Sequence, residues 1–412
     1  MQRAASRLAC IDLMDRLPMD LVPLDVDDCP VFFCSGFITL ETLPFAAGAT
    51  GRMIAVGQGL SRGAATLACL GEMAERLSVL SRGIDDPLVV SAAESDLDAG
   101  AVLAFSEAQE ARLCETHPDL QAQRRDGRIR WEALSDRRVR VTRLGDERSA
   151  LAPSLVCLLR EGGFYGAAGA PLTSTNGAAA WWEPEGARRR AVLELIERDT
   201  IACWWANRLV PPRLPDALVH DCLPLALADW LGNRSRRTHF LNLPHDLGCP
   251  VVAAVSADRE GEAIAFGYKA GLGLADAVTG SLLELVQTEM HLQTILDTAE
   301  APEAHPLLHL SRQVSVETQS WIRGREEEAF DHPADREWPT LVDRLDVAKI
   351  PVFTFEATRR DLGVPVIRAV SPGLRDWSSR FGPGRLYDLP VRLGLRRKPL
   401  TEETLNPVRF VS

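Results

Sequence analysis

Three segments of the chain carry a pair of polar side chains three residues apart in apolar surroundings. They are Glu72 and Glu75 in Gly71-Glu-Met-Ala-Glu-Arg76, Glu194 and Glu197 in Leu193-Glu-Leu-Ile-Glu-Arg-Asp199, and Glu284 and Gln287 in Leu283-Glu-Leu-Val-Gln287. On an α-helix that spacing leaves two side chains about 60° apart, so each pair points one way. Neighbours such as Ala68, Met73 and Ala74, or Ala191, Leu195 and Ile196, are too apolar for a solvated face. Four carboxylates held together repel one another and call for cations. Magnesium suits them, because it takes hard oxygen ligands and shares them with substrate phosphates. A carboxylate-bridged di-iron bundle would need Glu-x-x-His pairs, and none occurs here: His291 lies seven residues after Glu284. Neither GxxxxGK[ST] nor a GxGxxG opening a helix is present, so a nucleotide would be held by helix-borne carboxylates and metal rather than by a glycine cradle. The turn Thr173-Ser-Thr-Asn-Gly177, shortly before Glu194, offers backbone N–H groups and the Asn176 amide to a phosphate.

Helical periodicity supplies the elements that position these groups. The first helix is expected from about Ser61, a capping residue after Gly57-Gln58-Gly59, to Ser81. The second starts near Pro184, a residue suited to a first helical position, and the third near Asp276. The first two read as a weak internal repeat of glycine turn, helix and Glu-x-x-Glu-Arg. Apolar, β-rich runs at 31–33, 251–255, 351–355 and 364–370 predict sheet strands, and residues 129–143 an exposed hairpin around Asp136-Arg137. Strands alternating with long helices make the fold class α/β (α+β).

Composition narrows the partners. With 46 basic and 57 acidic residues the formal charge is −11, which argues against nucleic acid or an anionic membrane, since both require a basic face. Any bound anion must be held by a local site. Lysine occurs only at Lys269, Lys349 and Lys398, and the arginine excess reads as base composition. Charges interrupt the N-terminal apolar positions, so no signal peptide is expected, and no segment approaches the roughly 18 apolar residues of a membrane span. The nine cysteines are widely spaced without a CxxC pair, which fits buried free thiols in a reducing cytoplasm. Histidines and cysteines are too dispersed for a zinc site.

Taken in order, Gly57-Gln-Gly-Leu-Ser61 leading to Glu72-Met-Ala-Glu-Arg76, Asn176-Gly177 leading to Glu194-Leu-Ile-Glu-Arg-Asp199, Gly267 leading to Glu284-Leu-Val-Gln287, and Pro365-Val366 with Ser371-Pro-Gly-Leu374 resemble the YcaO family. The resemblance runs from about Gly36 to the C-terminus. It implies mixed sheets packed by long helices that carry carboxylates for ATP and Mg2+, and activation of a peptide backbone amide by the γ-phosphate. In the azoline-forming branch a neighbouring Cys, Ser or Thr then closes on the activated carbon, with net loss of water. By the same match Glu72, Glu75, Glu194 and Glu197 would hold metal. Arg198 and Asn176 would contact phosphate and act in catalysis, and Ser61, Glu284 and Gln287 would line the nucleotide site. Arg76 is either a further site group or the partner that orients Glu72.

The segment Phe381-Gly-Pro-Gly-Arg-Leu-Tyr-Asp-Leu-Pro-Val-Arg-Leu-Gly394, with Leu405-Asn-Pro407, resembles the azoline branch more than the thioamide-forming one. Arg385 and Tyr387 there would either fold back toward the site or pack in a C-terminal strand. Two departures stand out: Gln58 where many relatives carry Lys, and a tail, Asn406 to Ser412, without alternating prolines. The expected organisation is an N-terminal segment, 1–35, and a catalytic unit, 36–412, with a tail from about 392. The expected substrate is a ribosomally made precursor peptide. The expected partners are a separate leader-docking protein resembling ubiquitin-activating enzymes and a flavin-dependent dehydrogenase, in a homodimer or hetero-oligomeric complex. Peptide thioamidation and a non-catalytic ATP-binding scaffold are the alternatives.

Overall fold

The structure, a computed structural model, describes residues 10–26, 28–46, 49–326 and 336–410. Residues 1–9 of the N-terminal stretch read for a signal peptide and the last two residues of the tail lie outside them. Strands β1 (Met19–Asp25), β2 (Phe32–Thr39) and β3 (Arg52–Gly59) form an antiparallel sheet in that order. The expected boundary at residue 35 falls inside β2, whose Ser35 faces Val22 of β1 and Val56 of β3. Helix α1 (Arg62–Ser78) follows, with Ser61 as its N-cap accepting from the Ala64 N–H at 3.2 Å. Ala65, Cys69, Met73 and Leu77, four residues apart, form its buried stripe. It ends at Ser78, three residues short of Ser81, whose hydroxyl instead donates to the buried Glu161.

Next come β4 (Val89–Ser91), β5 (Arg137–Arg143), β6 (Ser149–Pro153) and β7 (Ala178–Ala180), then α2 (Pro184–Asn207), which begins at its proline as expected. A second antiparallel sheet of three, β8 (Arg237–Asn242), β9 (Val251–Ala257) and β10 (Ala265–Ala270), leads to α3 (Leu274–Thr298), which starts two residues before Asp276. Finally β11 (Phe353–Glu356) and β12 (Val366–Val370) complete a six-stranded sheet of order β4-β5-β11-β12-β7, with β6 paired to β5. α2 packs against β7, β12 and β10, and so joins this sheet to the second sheet of three. Among the described residues no helix is long and apolar enough to cross a membrane. All nine cysteines are unpaired, and seven of them are buried.

Two sequence expectations change. The hairpin around Asp136-Arg137 is not there. Arg137 is buried against Glu161 (Nε to Oε2 2.8 Å), and the chain turns after β5 instead, where Gly145 and Glu147 take positive φ. Local polarity cannot distinguish a buried ion pair from a solvated turn. The internal repeat relates the first and third helices rather than the first and second. Both follow an antiparallel sheet of three, and both press on a glycine of its last strand. A Cβ on Gly57 would lie 2.1 Å from Cys69 N and 2.2 Å from Ala65 O; on Gly267, 2.1 Å from Leu285 N and 2.2 Å from Ser281 O. By those contacts Cys69 of α1 matches Leu285 of α3, which sets Gln287 against Gly71 rather than Glu75.

The tail folds back as α4 (Arg385–Arg392), a helix rather than a strand. Arg385 reaches Asp199 of α2 at 2.7 Å and Asp246 at 2.9 Å, while Phe410 packs edge-on to Trp205 and Tyr268. Asp199 is fully buried, so Arg385→Ala strands a carboxylate without its guanidinium. The expected cost is about 3 kcal/mol, read as a lower urea midpoint at unchanged slope; an unchanged midpoint would mean that the tail is not anchored through this pair.

Candidate functional site

α1, α2 and α3 turn faces toward one cavity of about 1200 Å3. Its lining includes Glu72 and Glu75 of α1, Glu194 and Glu197 of α2, Asp276 and Thr279 of α3, and Lys269 of β10. The carboxylates are held by backbone as well as by helix position. β3, β7 and β10 are each the last strand of their sheet, and an edge strand carries N–H groups with no strand to receive them. Val56 N–H of β3 donates to Glu72 Oε2 (3.0 Å) and Ala180 N–H of β7 to Glu75 Oε2 (3.3 Å). From β10, Ala270 N–H donates to Glu197 Oε2 (2.9 Å) and Tyr268 N–H to Glu284 Oε2 (3.2 Å). Three sheets thus present their edges to one space, and helix-borne carboxylates cap them.

Cations divide the remaining charge. Arg76 binds Glu72 Oε1 through Nε (2.9 Å) and Nη2 (2.6 Å), which identifies it as the partner that orients Glu72. Arg198 reaches Glu194 Oε1 (3.2 Å) and Glu197 Oε1 (3.0 Å) and lies 3.4 Å over the Trp377 ring. Lys269 stands between α2 and α3, 3.4 Å from Glu284 and 4.0 Å from Glu197. Burial works against the charge on Lys269, but Glu284, Glu197 and Glu194 outweigh it and raise its pKa. The compensation is incomplete. Burial, then Glu194 and Glu72, push Glu75 well above the usual carboxylate range, and burial lifts Glu197 to about 7 against the pull of Lys269 and Arg198. Among the described residues no three acidic, histidine or cysteine side chains close on a point that would hold a metal unaided. A cation among these carboxylates must take further oxygens from outside the chain, the mode in which Mg2+ binds with phosphates.

Not every expected residue lies on the cavity. Ser61 is occupied as the cap of α1, and neither Gln58, opposite Phe33, nor half-buried Gln287 reaches the lining. Glu284 acts on it through Lys269. Asn176 and Arg198 line a second, smaller recess together. Sequence reasoning missed Lys269, whose one signal was its rarity, and a wall made of Trp181 with Arg190 stacked 3.5 Å from its ring centre. Trp181 packs so closely on Gly186 that a Cβ there would lie 1.9 Å from the indole.

A family model described as YcaO cyclodehydratase, ATP- and Mg2+-binding, matches residues 56–375. The chain belongs to the YcaO family. ATP and Mg2+ are the cofactors of that family. The YcaO fold is shared with solved structures of low identity. One is a heterocyclase in complex with substrate and cofactor (22% identity, TM-score 0.79, 98% of this chain and 57% of that one). Another is the heterocyclase TruD (24%, 0.66, 86% and 51%). A third is YcaO from Methanopyrus kandleri bound with AMPPCP and Mg2+ (18%, 0.62, 92% of both chains). This YcaO chain spans just over half the length of the first two. No curated protein sequence matches it.

Proposed function

We propose that the chain is an ATP- and Mg2+-dependent cyclodehydratase that forms thiazolines or oxazolines from Cys, Ser or Thr of a ribosomally made precursor peptide. The observation that carries this reading is the convergence of Glu72, Glu75, Glu194 and Glu197 on one cavity, each oriented by a backbone amide or an arginine, with too little cation to balance them. Glu197 Oε1 is buried with Arg198 Nη1 3.0 Å away, so a metal at this oxygen would share it with that guanidinium. In this reading these four residues hold Mg2+, Arg198 and Asn176 meet the transferred phosphoryl group from the smaller recess that they line, and Glu284 sets Lys269 as a fixed positive charge beside the large cavity.

Bound ATP with Mg2+ supplies a γ-phosphoryl group for the amide oxygen. The chain's part is positioning and charge: Arg198 and Lys269, both kept protonated by their carboxylates, meet negative charge as it moves from nucleotide to substrate, at no cost of reorganisation. The substrate thiol or hydroxyl adds to the activated carbon, and phosphate leaves with the former amide oxygen. A leader-docking protein resembling ubiquitin-activating enzymes and a flavin-dependent dehydrogenase are the proposed partners. The test is intact-peptide mass after incubation of chain, precursor, leader partner, ATP and Mg2+. One water is lost per modified residue, with ADP formed. Oxygen exchanged for sulfur would instead establish thioamidation, and nucleotide bound but never turned over would establish a scaffold.

A further inference from the structure

The smaller recess that Asn176 and Arg198 share has a volume of about 50 Å3, room for roughly three to five waters at 10–15 Å3 each or for one tetrahedral oxyanion. Its wall also carries Arg368 of β12 with Arg375, Asp376 and Arg380 of the loop that follows. Four guanidinium groups therefore face one carboxylate. Arg198 is matched by Glu194 and Glu197. Among the described residues the other three make no ion pair and give their side-chain hydrogen bonds to backbone carbonyls: Arg368 to Cys157 (3.3 Å), Arg375 to Pro383, and Arg380 to Leu103 (3.2 Å) and Leu172 (2.6 Å). Arg368 and Arg375 are 4% and 6% exposed. Each keeps an Nε–H without a partner, and so does Arg198, while the Asn176 amide lies beside Asp376. Burial depresses all three guanidinium pKa values, opposed first by Cys157 and then Asp376 at Arg368, by Asp199 at Arg375 and by Asp376 at Arg380. Buried charge left unbalanced is strongly destabilising. Forked donors of this kind match the oxygens of a phosphate.

We infer that this recess is a built site for orthophosphate, held by Arg368, Arg375 and Arg380 with Asn176 as a neutral donor. Among the described residues none that lines it also lines the large cavity, and Arg198, bonded to Glu194 and Glu197 of that cavity, stands between the two. The inference rests on the reading above for the source of the ion, the phosphate released when the amide carbon is closed upon, and not for the site itself.

Calorimetric titration of the full chain with inorganic phosphate, without Mg2+ and with EDTA present, tests it. One phosphate binds to the wild type, and Arg375→Gln or Arg380→Gln weakens it roughly ten- to hundredfold, the worth of a charged hydrogen bond. Should Arg375→Gln fail to fold, as judged by its thermal transition, the less buried Arg380 decides. No phosphate binding by the wild type, variants that bind as tightly as the wild type, or displacement of phosphate by equimolar acetate would each overturn the site. ATP with Mg2+ is titrated in parallel. Phosphate bound without nucleotide refutes the cyclodehydratase reading and supports the recess, whereas nucleotide bound without phosphate refutes the recess alone.

Discussion

Glu197→Gln is expected to lower ATP-dependent water loss by roughly 10²- to 10³-fold, the usual worth of a preorganised electrostatic group, while making the metal-free protein more stable above neutral pH. Both effects come from one carboxylate that is 1% exposed. Glutamine keeps an oxygen for the Ala270 N–H but carries no charge for a cation. The stability effect follows from linkage. Burial, offset in part by Lys269 and Arg198, raises the folded pKa of Glu197 to about 7 from 4.5. Between those values the folded chain keeps a proton that the unfolded chain has released, so stability is greatest below pH 4.5 and falls as pH rises toward 7. Above that the whole penalty is present, on the order of 3 kcal/mol. The variant, fixed in the neutral form, escapes it. Urea unfolding without metal therefore shows wild type and Glu197→Gln alike near pH 4.5 and the variant ahead at pH 8. Full turnover in the variant would sink the metal assignment; a wild type as stable as the variant at pH 8 would sink the burial argument.

Gly57→Ala and Gly267→Ala are the second pair of large effects. At both positions the added methyl group meets helix backbone at 2.1 Å, where no side chain can swing aside. The helix must lift from its sheet, at an expected cost of at least about 3 kcal/mol, the upper end for overpacking. The displacement also reaches the site, because the amides that hold Glu72 and Glu284 belong to the neighbouring residues Val56 and Tyr268. Loss of nucleotide binding should accompany the fall in melting temperature. Gly63→Ala is the control. It lies in α1, the helix that Gly57 packs against, with nothing within 4 Å of an added Cβ, and it should gain about 0.5–1 kcal/mol from helix propensity. Equal behaviour of Gly57→Ala and Gly63→Ala would show that the close approach is not tight.

The parts of this site that could be read from sequence are those encoded within one turn of helix. Glutamates three apart, a serine cap at Ser61 and a proline at Pro184 are local signals, and the structure places all of them as expected. What could not be read depends on pairing between distant strands. Lys269 sits in a strand with no motif around it and acquires its meaning from Glu284 and Glu197 on two different helices. The kinship of α1 with α3 lies in two sheets of similar build, which the shared Glu-x-x-Glu-Arg of α1 and α2 obscured. Arg368, Arg375 and Arg380 are scattered among many arginines, and only the turn of chain after β12 gathers them.

The capping of three sheet edges by glutamates has a practical consequence. Each of the amide protons of Val56, Ala180, Tyr268 and Ala270 is shielded by an oxygen of one of these glutamates, and for three of the four that glutamate is also proposed to bind metal. When such an oxygen turns to a cation, its amide is released to solvent. The isotope-exchange rates of these protons therefore gauge, one carboxylate at a time, which of the four glutamates is engaged.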